Sequence, residues 1–239
     1  MHTPKTKKGM VIKMKHLWRK AAIIGSSLIL AFIVWTILVL CVDVQPVGQN
    51  GTNIGFSSIN TRFHAWTGEH LAIYTITDWL GLIPIVVCVC FGCLGLYQLI
   101  KRKSLKKVDA DIILLGVYYA LVILGYLIFE MIPINYRPIL IEGRLEASYP
   151  SSTTLLVLSV MPTLLFEIYR RFRQAVVRYL TLVFVVLFSG FMVIGRLVSG
   201  VHWLTDILGA VLLSAGLYLL FRSAVLFADE KQRKAADLE

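Results

Sequence analysis

The chain has 239 residues, 57% of them hydrophobic, and a net charge of +10. Its mean hydropathy is +0.75, which excludes an ordinary soluble domain. The basic excess does not mark a nucleic-acid surface, because the lysines and arginines stand in short clusters between apolar runs.

The first uncharged apolar run is Ala21–Val42, and a bilayer-spanning helix needs about 20 apolar residues. A basic stretch precedes it (Lys5, Lys7, Lys8, Lys13, Lys15, Arg19 and Lys20). The run is longer than a signal-peptide core and lacks a small-residue cleavage site, so it reads as a retained span. Residues 43–79 read as a long polar connection, with turn signals at Pro46-Val47-Gly48 and Asn50-Gly51. Its aromatic residues Phe56, Phe63, Trp66, Tyr74 and Trp79 suit a membrane interface. Further spans are expected over Leu80–Ile100, Ile112–Phe129, Thr153–Tyr169, Tyr179–Ile194 and roughly Trp203–Phe221. Pro162 should kink the fourth span. The charged tail from residue 223 is expected to be partly disordered.

Lysine and arginine concentrate in the N-terminus, the loops 101–107 and 170–178, and the tail. The alternate loops carry only Arg62, Arg137, Arg144 and Arg196. By the positive-inside rule both termini are cytoplasmic. The expected fold is all-α, a polytopic six-transmembrane-helix bundle. Residues 1–20 form a basic cytoplasmic N-terminus, 21–222 the membrane domain, and 223–239 a cytoplasmic tail. Cys88, Cys90 and Cys93 fall on different faces of one span, with no polar partner nearby. They and Cys41 read as packing residues rather than a metal site or a disulfide framework.

Polar groups gather at the outer ends of the spans, where ionisable residues are functional candidates. Arg137-Pro138 follows the third span, and Tyr149-Pro150-Ser151-Ser152-Thr153-Thr154 opens the fourth. Arg196, His202 and Asp206 lie between the fifth and sixth. If the sixth helix starts near His202, then His202 and Asp206 share a face at i and i+4. The carboxylate could then hold one ring nitrogen and leave the other as a nucleophile. Two guanidinium forks suit a phosphate. The helix N-terminus at Ser151 and Ser152 adds free N–H groups and the positive end of the dipole.

These residues resemble the type-2 phosphatidic acid phosphatase superfamily of integral membrane lipid phosphatases. Its motifs are K-x6-R-P, P-S-G-H and S-R-x5-H-x3-D. The third is matched by Gly195-Arg196-x5-His202-x3-Asp206, with glycine for serine. The first reads Glu130-x6-Arg137-Pro138, with glutamate for lysine, and the second Pro150-Ser151-Ser152-Thr153, with threonine for histidine. The resemblance implies that His202 attacks phosphorus to form a phosphohistidine, oriented by Asp206, while Arg137 and Arg196 hold phosphate oxygens. It also implies that Thr153 stands where the general acid belongs and Glu130 where a phosphate-binding lysine belongs.

A missing general acid costs roughly 10²–10⁴-fold where one is needed. Cleavage of a lipid diphosphate, whose phosphate monoester leaving group has a second pKa near 6, suffers less than loss of an alkoxide. A polyprenyl diphosphate is therefore expected to be favoured over phosphatidate. The expected partners are a membrane lipid phosphate and the bilayer, with no nucleic acid. No metal or other cofactor is implied, since the arginines and the helix N-terminus supply positive charge. The expected location is the plasma membrane, with the site facing outward. The rival readings are a catalytically impaired lipid-phosphate-binding protein and a lipid transporter. A trapped phosphohistidine separates the first from an enzyme. Lipid movement unaffected by His202→Ala would mark the second.

Overall fold

The computed structural model describes residues 4–236, with side chains from residue 16 onward. Residues 1–3 and 237–239, the extremities of the two expected cytoplasmic ends, lie outside the described residues. The described chain is helical, with isolated β-bridges only in its loops. Helix α1 covers Pro4–Cys41, α2 Ser57–Thr67, α3 Leu71–Leu80 and α4 Leu82–Arg102. Helix α5 covers Ala110–Met131, α6 Ser152–Arg171, α7 Ala175–Val198 and α8 Leu204–Ala236.

Among the described residues, six stretches are long and apolar enough to cross a membrane. They are His16–Cys41, Leu71–Arg102, Ala110–Met131, Ser152–Arg171, Ala175–Val198 and Leu204–Ala236. Large apolar side chains such as Ile23, Val86, Leu121 and Leu187 point outward from them, as a bilayer solvent requires. The core lies where α1, α5, α6 and α8 meet, around Phe32, Leu115, Tyr118, Tyr149, Leu155 and Phe221.

Three expectations change. The second span begins at Leu71 rather than Leu80, because α3 joins α4 at Gly81 and packs against α7. The connection at 43–79 is thus largely helical. Helix α6 includes Pro162 within its span Ser152–Arg171. The tail continues α8 as far as Ala236 instead of leaving the fold.

The two ends of the bundle differ. At the end carrying the 101–107 loop, Arg170 and Arg171 bind Asp109, Asp111, Glu167 and Asp229. This network ties α5, α6 and α8 together. At the other end, α2 lies across the start of α8. Buried Asn60 donates to Thr205 Oγ1 at 3.0 Å and to the Gly55 carbonyl at 2.8 Å, and accepts from Thr205 N at 3.3 Å. Those bonds fix the first turn of α8, immediately after His202.

Candidate active site

The site is assembled from the ends of α5, α6, α7 and α8 and from the middle of α3. A hairpin-like loop connects α5 to α6. Ser148 N donates to the Asn135 carbonyl at 2.9 Å and Arg137 N to the Glu146 carbonyl at 3.0 Å. The turn from α7 to α8 needs Gly200, which has φ +75°; a Cβ there would stand 2.4 Å from the Gly68 carbonyl oxygen. This turn presents His202 to the loop.

His202 is 3% exposed. Its Nδ1 lies 3.1 Å from the Ser148 carbonyl oxygen. A carbonyl only accepts, so Nδ1 carries the hydrogen and Nε2 keeps its lone pair. Nε2 has no hydrogen-bond partner. Burial, and then the positive charges of Arg137 and Arg196, hold the ring well below the usual 6.5. The imidazole is therefore neutral and nucleophilic at neutral pH.

The expected hydrogen bond from His202 to Asp206 does not form, although the two side chains are neighbours. Asp206 Oδ2 is 3.7 Å from His202 Nδ1, outside hydrogen-bond range. Helix α8 begins at Leu204, so His202 lies two residues before the helix rather than in its first turn. Asp206 instead accepts from Trp203 N at 2.9 Å and from Asn135 Nδ2 at 3.3 Å. It acts as the third-position half of a capping box, and its own carbonyl accepts from Ser151 N at 3.2 Å. Asp206 thus positions the turn, and the Ser148 carbonyl sets the tautomer.

Arg137 and Arg196 do come together. Both guanidinium groups lie against the Tyr74 ring, at 5.8 and 4.8 Å from its centroid. Arg196 is 1% exposed, with Nη2 3.5 Å from Asp78 Oδ1 and Nη1 3.5 Å from Thr77 Oγ1. Arg137 Nε is 3.1 Å from Glu146 Oε2, but without the alignment of a hydrogen bond. Arg137 Nε and Nη1, Arg196 Nε and His202 Nε2 are all buried without a hydrogen-bond partner. Leaving a buried polar group unpaired costs about 1–3 kcal/mol. Such groups are rare in native folds and call for an explanation. An anion with several acceptor oxygens would satisfy all three nitrogens of the arginines.

Ser151 sits just before α6 and is fully buried, but its hydroxyl donates to Thr154 Oγ1 at 3.0 Å rather than to a backbone N–H. Ser152 lines a polar cavity of about 240 Å³ with Glu130, Arg137, Glu146 and Ser148. Thr153 does not line that cavity. It faces an apolar neighbour of about 210 Å³ between α5 and α6, beside Val122, Ile123, Leu155 and Leu156. Glu130 therefore shares the cavity with Arg137, while the carboxylate paired to Arg137 is Glu146.

Sequence reasoning missed Tyr74, Asp78, Asn135 and the Ser148 carbonyl as parts of the site. Tyr74 and Asp78, at i and i+4 in an otherwise apolar stretch, were the available signal. The other two had none, because their roles rest on the loop's pairing and on a backbone atom.

The sequence profile described as the PAP2 superfamily matches residues 86–229. A crystal structure described as the first transmembrane PAP2-type phosphatidylglycerolphosphate phosphatase from Bacillus subtilis superposes with a TM-score of 0.59. It is 17% identical, and the superposition covers 87% of this chain and 96% of that one. At that identity the likeness is one of fold. No curated protein matches the chain.

Proposed function

The chain belongs to the PAP2 superfamily, and from that premise we propose that it hydrolyses a phosphate or diphosphate from a membrane lipid through a phosphohistidine intermediate. Polyprenyl diphosphates and phosphatidate are the lipid types in view. The observation that carries this reading is the set of four buried nitrogens on Arg137, Arg196 and His202 that have no hydrogen-bond partner.

In the proposed mechanism the two guanidinium groups, both against the Tyr74 ring, bind the phosphoryl oxygens. His202 Nε2 attacks phosphorus, and the Ser148 carbonyl holds the proton on Nδ1 throughout. Charge developing on the phosphoryl oxygens meets donors already in place. Water then attacks the phosphohistidine from the opened side and returns Nε2 to its lone-pair state. The charge pattern of the loops supports cytoplasmic termini and an outward-facing site in the plasma membrane.

The test is phosphate release by detergent-purified protein from a polyprenyl diphosphate and, separately, from phosphatidate, with His202→Ala alongside. Release that vanishes in the variant supports the reading. Equal release by both proteins, or none by folded wild type on either lipid, overturns it.

A further inference from the structure

The departure at Thr153 leaves the leaving oxygen without an evident proton donor. Thr153 is 9% exposed, and its surroundings are the apolar cavity rather than the polar one. A threonine hydroxyl is also a poor acid at neutral pH.

The geometry limits where the scissile bond can lie. The phosphoryl group is held by Arg137 and Arg196. The lipid chain needs an apolar path, and the apolar cavity between α5 and α6 neighbours the polar one, with Tyr126 and Ser152 lining both. Arg137 lines the polar cavity, which puts the bridging oxygen of a phosphate bound to it on that side. The acidic side chains lining that cavity are Glu130 and Glu146. Of the two, Glu146 is in contact with a phosphate-binding group, with Oε2 3.1 Å from Arg137 Nε. The loop pairing that sets Glu146 also places Ser148, two residues on, against His202.

Resting on the phosphatase reading, we propose that Glu146 is the general acid of this enzyme, in place of the histidine absent at Thr153. In the free protein its carboxylate neutralises Arg137. A bound phosphate takes over that arginine and brings an anion beside the carboxylate. Two anions at hydrogen-bond distance stay together only when a proton bridges them. As the bond from His202 Nε2 to phosphorus forms, the bond from phosphorus to the bridging oxygen breaks and its electron pair stays on oxygen. That oxygen takes the proton from Glu146 Oε2. The products of the step are phosphohistidine, the lipid alcohol and the Glu146 carboxylate. In the second step the carboxylate takes a proton from water as the water oxygen bonds to phosphorus. The electron pair of the nitrogen–phosphorus bond returns to Nε2, and inorganic phosphate departs. With an acid at 146, phosphatidate-type monoesters become substrates beside the diphosphates that the sequence alone favours.

The experiment compares leaving groups. Wild type, Glu146→Gln, Glu130→Gln and His202→Ala are assayed on phosphatidate, whose alkoxide leaving group is strongly basic. They are also assayed on 4-nitrophenyl phosphate, whose leaving group departs without a proton. The expected result is a loss of about 10²–10⁴-fold on phosphatidate for Glu146→Gln. The burst of nitrophenolate release, which reports the first step alone, should stay within a few-fold, which also shows that the variant is folded and keeps Arg137 in place. Glu130→Gln should not discriminate between the two substrates. Equal losses on both for Glu146→Gln would overturn the proposal, leaving Glu146 as an orienting partner of Arg137. So would no loss on phosphatidate, or the discriminating pattern appearing with Glu130→Gln instead. Wild type no better than His202→Ala on both substrates would overturn the phosphatase reading itself, and the acid with it.

Discussion

Gly209→Ala tests how closely the bundle core and the site are joined. A methyl group at Gly209 would stand 2.6 Å from Cε2, 2.8 Å from Cζ and 2.8 Å from Oη of Tyr149. The ring would have to move, and it has little room. It is 1% exposed, its hydroxyl lies 2.7 Å from Thr36 Oγ1, and it is stacked on Phe32 and edge-on to Phe129. Overpacking costs about 1–3 kcal/mol, and a ring pinned on three sides puts this case near the upper value. Replacing glycine by alanine inside a helix returns about 0.5–1 kcal/mol. The net loss is about 2 kcal/mol by these two principles. At about 2–4 °C per kcal/mol for a chain of this size, the unfolding midpoint falls by about 4–8 °C. The midpoint should be read in detergent at one fixed scan rate. Tyr149 also follows Ser148, whose carbonyl holds His202, so phosphate release per folded molecule should fall too. Adding Tyr149→Leu removes the struck ring atoms, and the pair should cost less than the sum of its parts. A Gly209→Ala protein as stable and as active as wild type would refute this reasoning.

Arg196→Lys should leave the fold intact and lower phosphate release by about 10²–10³-fold, the usual loss when one transition-state donor goes. A lysine cannot present a planar fork across Tyr74. Stability should depend on pH through His202. Above 6.5 the ring is neutral in both the folded and the unfolded chain, whereas below it the unfolded chain takes up a proton that the buried ring refuses. Wild type should therefore lose stability as the pH falls below 6.5, and His202→Gln should lose less over the same window in paired thermal scans. Arg171→Met should cost about 3 kcal/mol of stability, because it strips a cation from Glu167 and Asp111, both buried and each 3.1 Å from its Nη2. Activity per folded molecule should be unchanged, since that network lies at the opposite end of the bundle from the site.

Much of this was legible in the sequence for simple reasons. Six apolar runs separated by charge clusters define spans whatever the packing. The spacing from Arg196 to His202 to Asp206 survives because it belongs to one continuous turn. The start of the second span was not legible. Between Leu71 and Leu80 the chain carries Tyr74, two threonines and Asp78, which lower its hydropathy although Tyr74 and Asp78 serve the site. The tail read as disordered from its charge, yet Glu230 is 4% exposed and accepts from Trp18 Nε1 at 2.6 Å. The role of Asp206 turned on a two-residue difference in where α8 begins. The Ser148 carbonyl was invisible, because a backbone acceptor leaves no mark on side-chain identity.

The phosphohistidine is the central claim, and trapping it is the most direct test. Protein is mixed with a lipid substrate labelled in the transferred phosphate, quenched by denaturation in alkali, and examined for label bound to the chain. The account predicts an alkali-stable, acid-labile adduct on wild type, located at His202 by peptide mapping and absent from His202→Ala. Phosphate release by wild type with no label on the chain, or equal labelling of the variant, would contradict it.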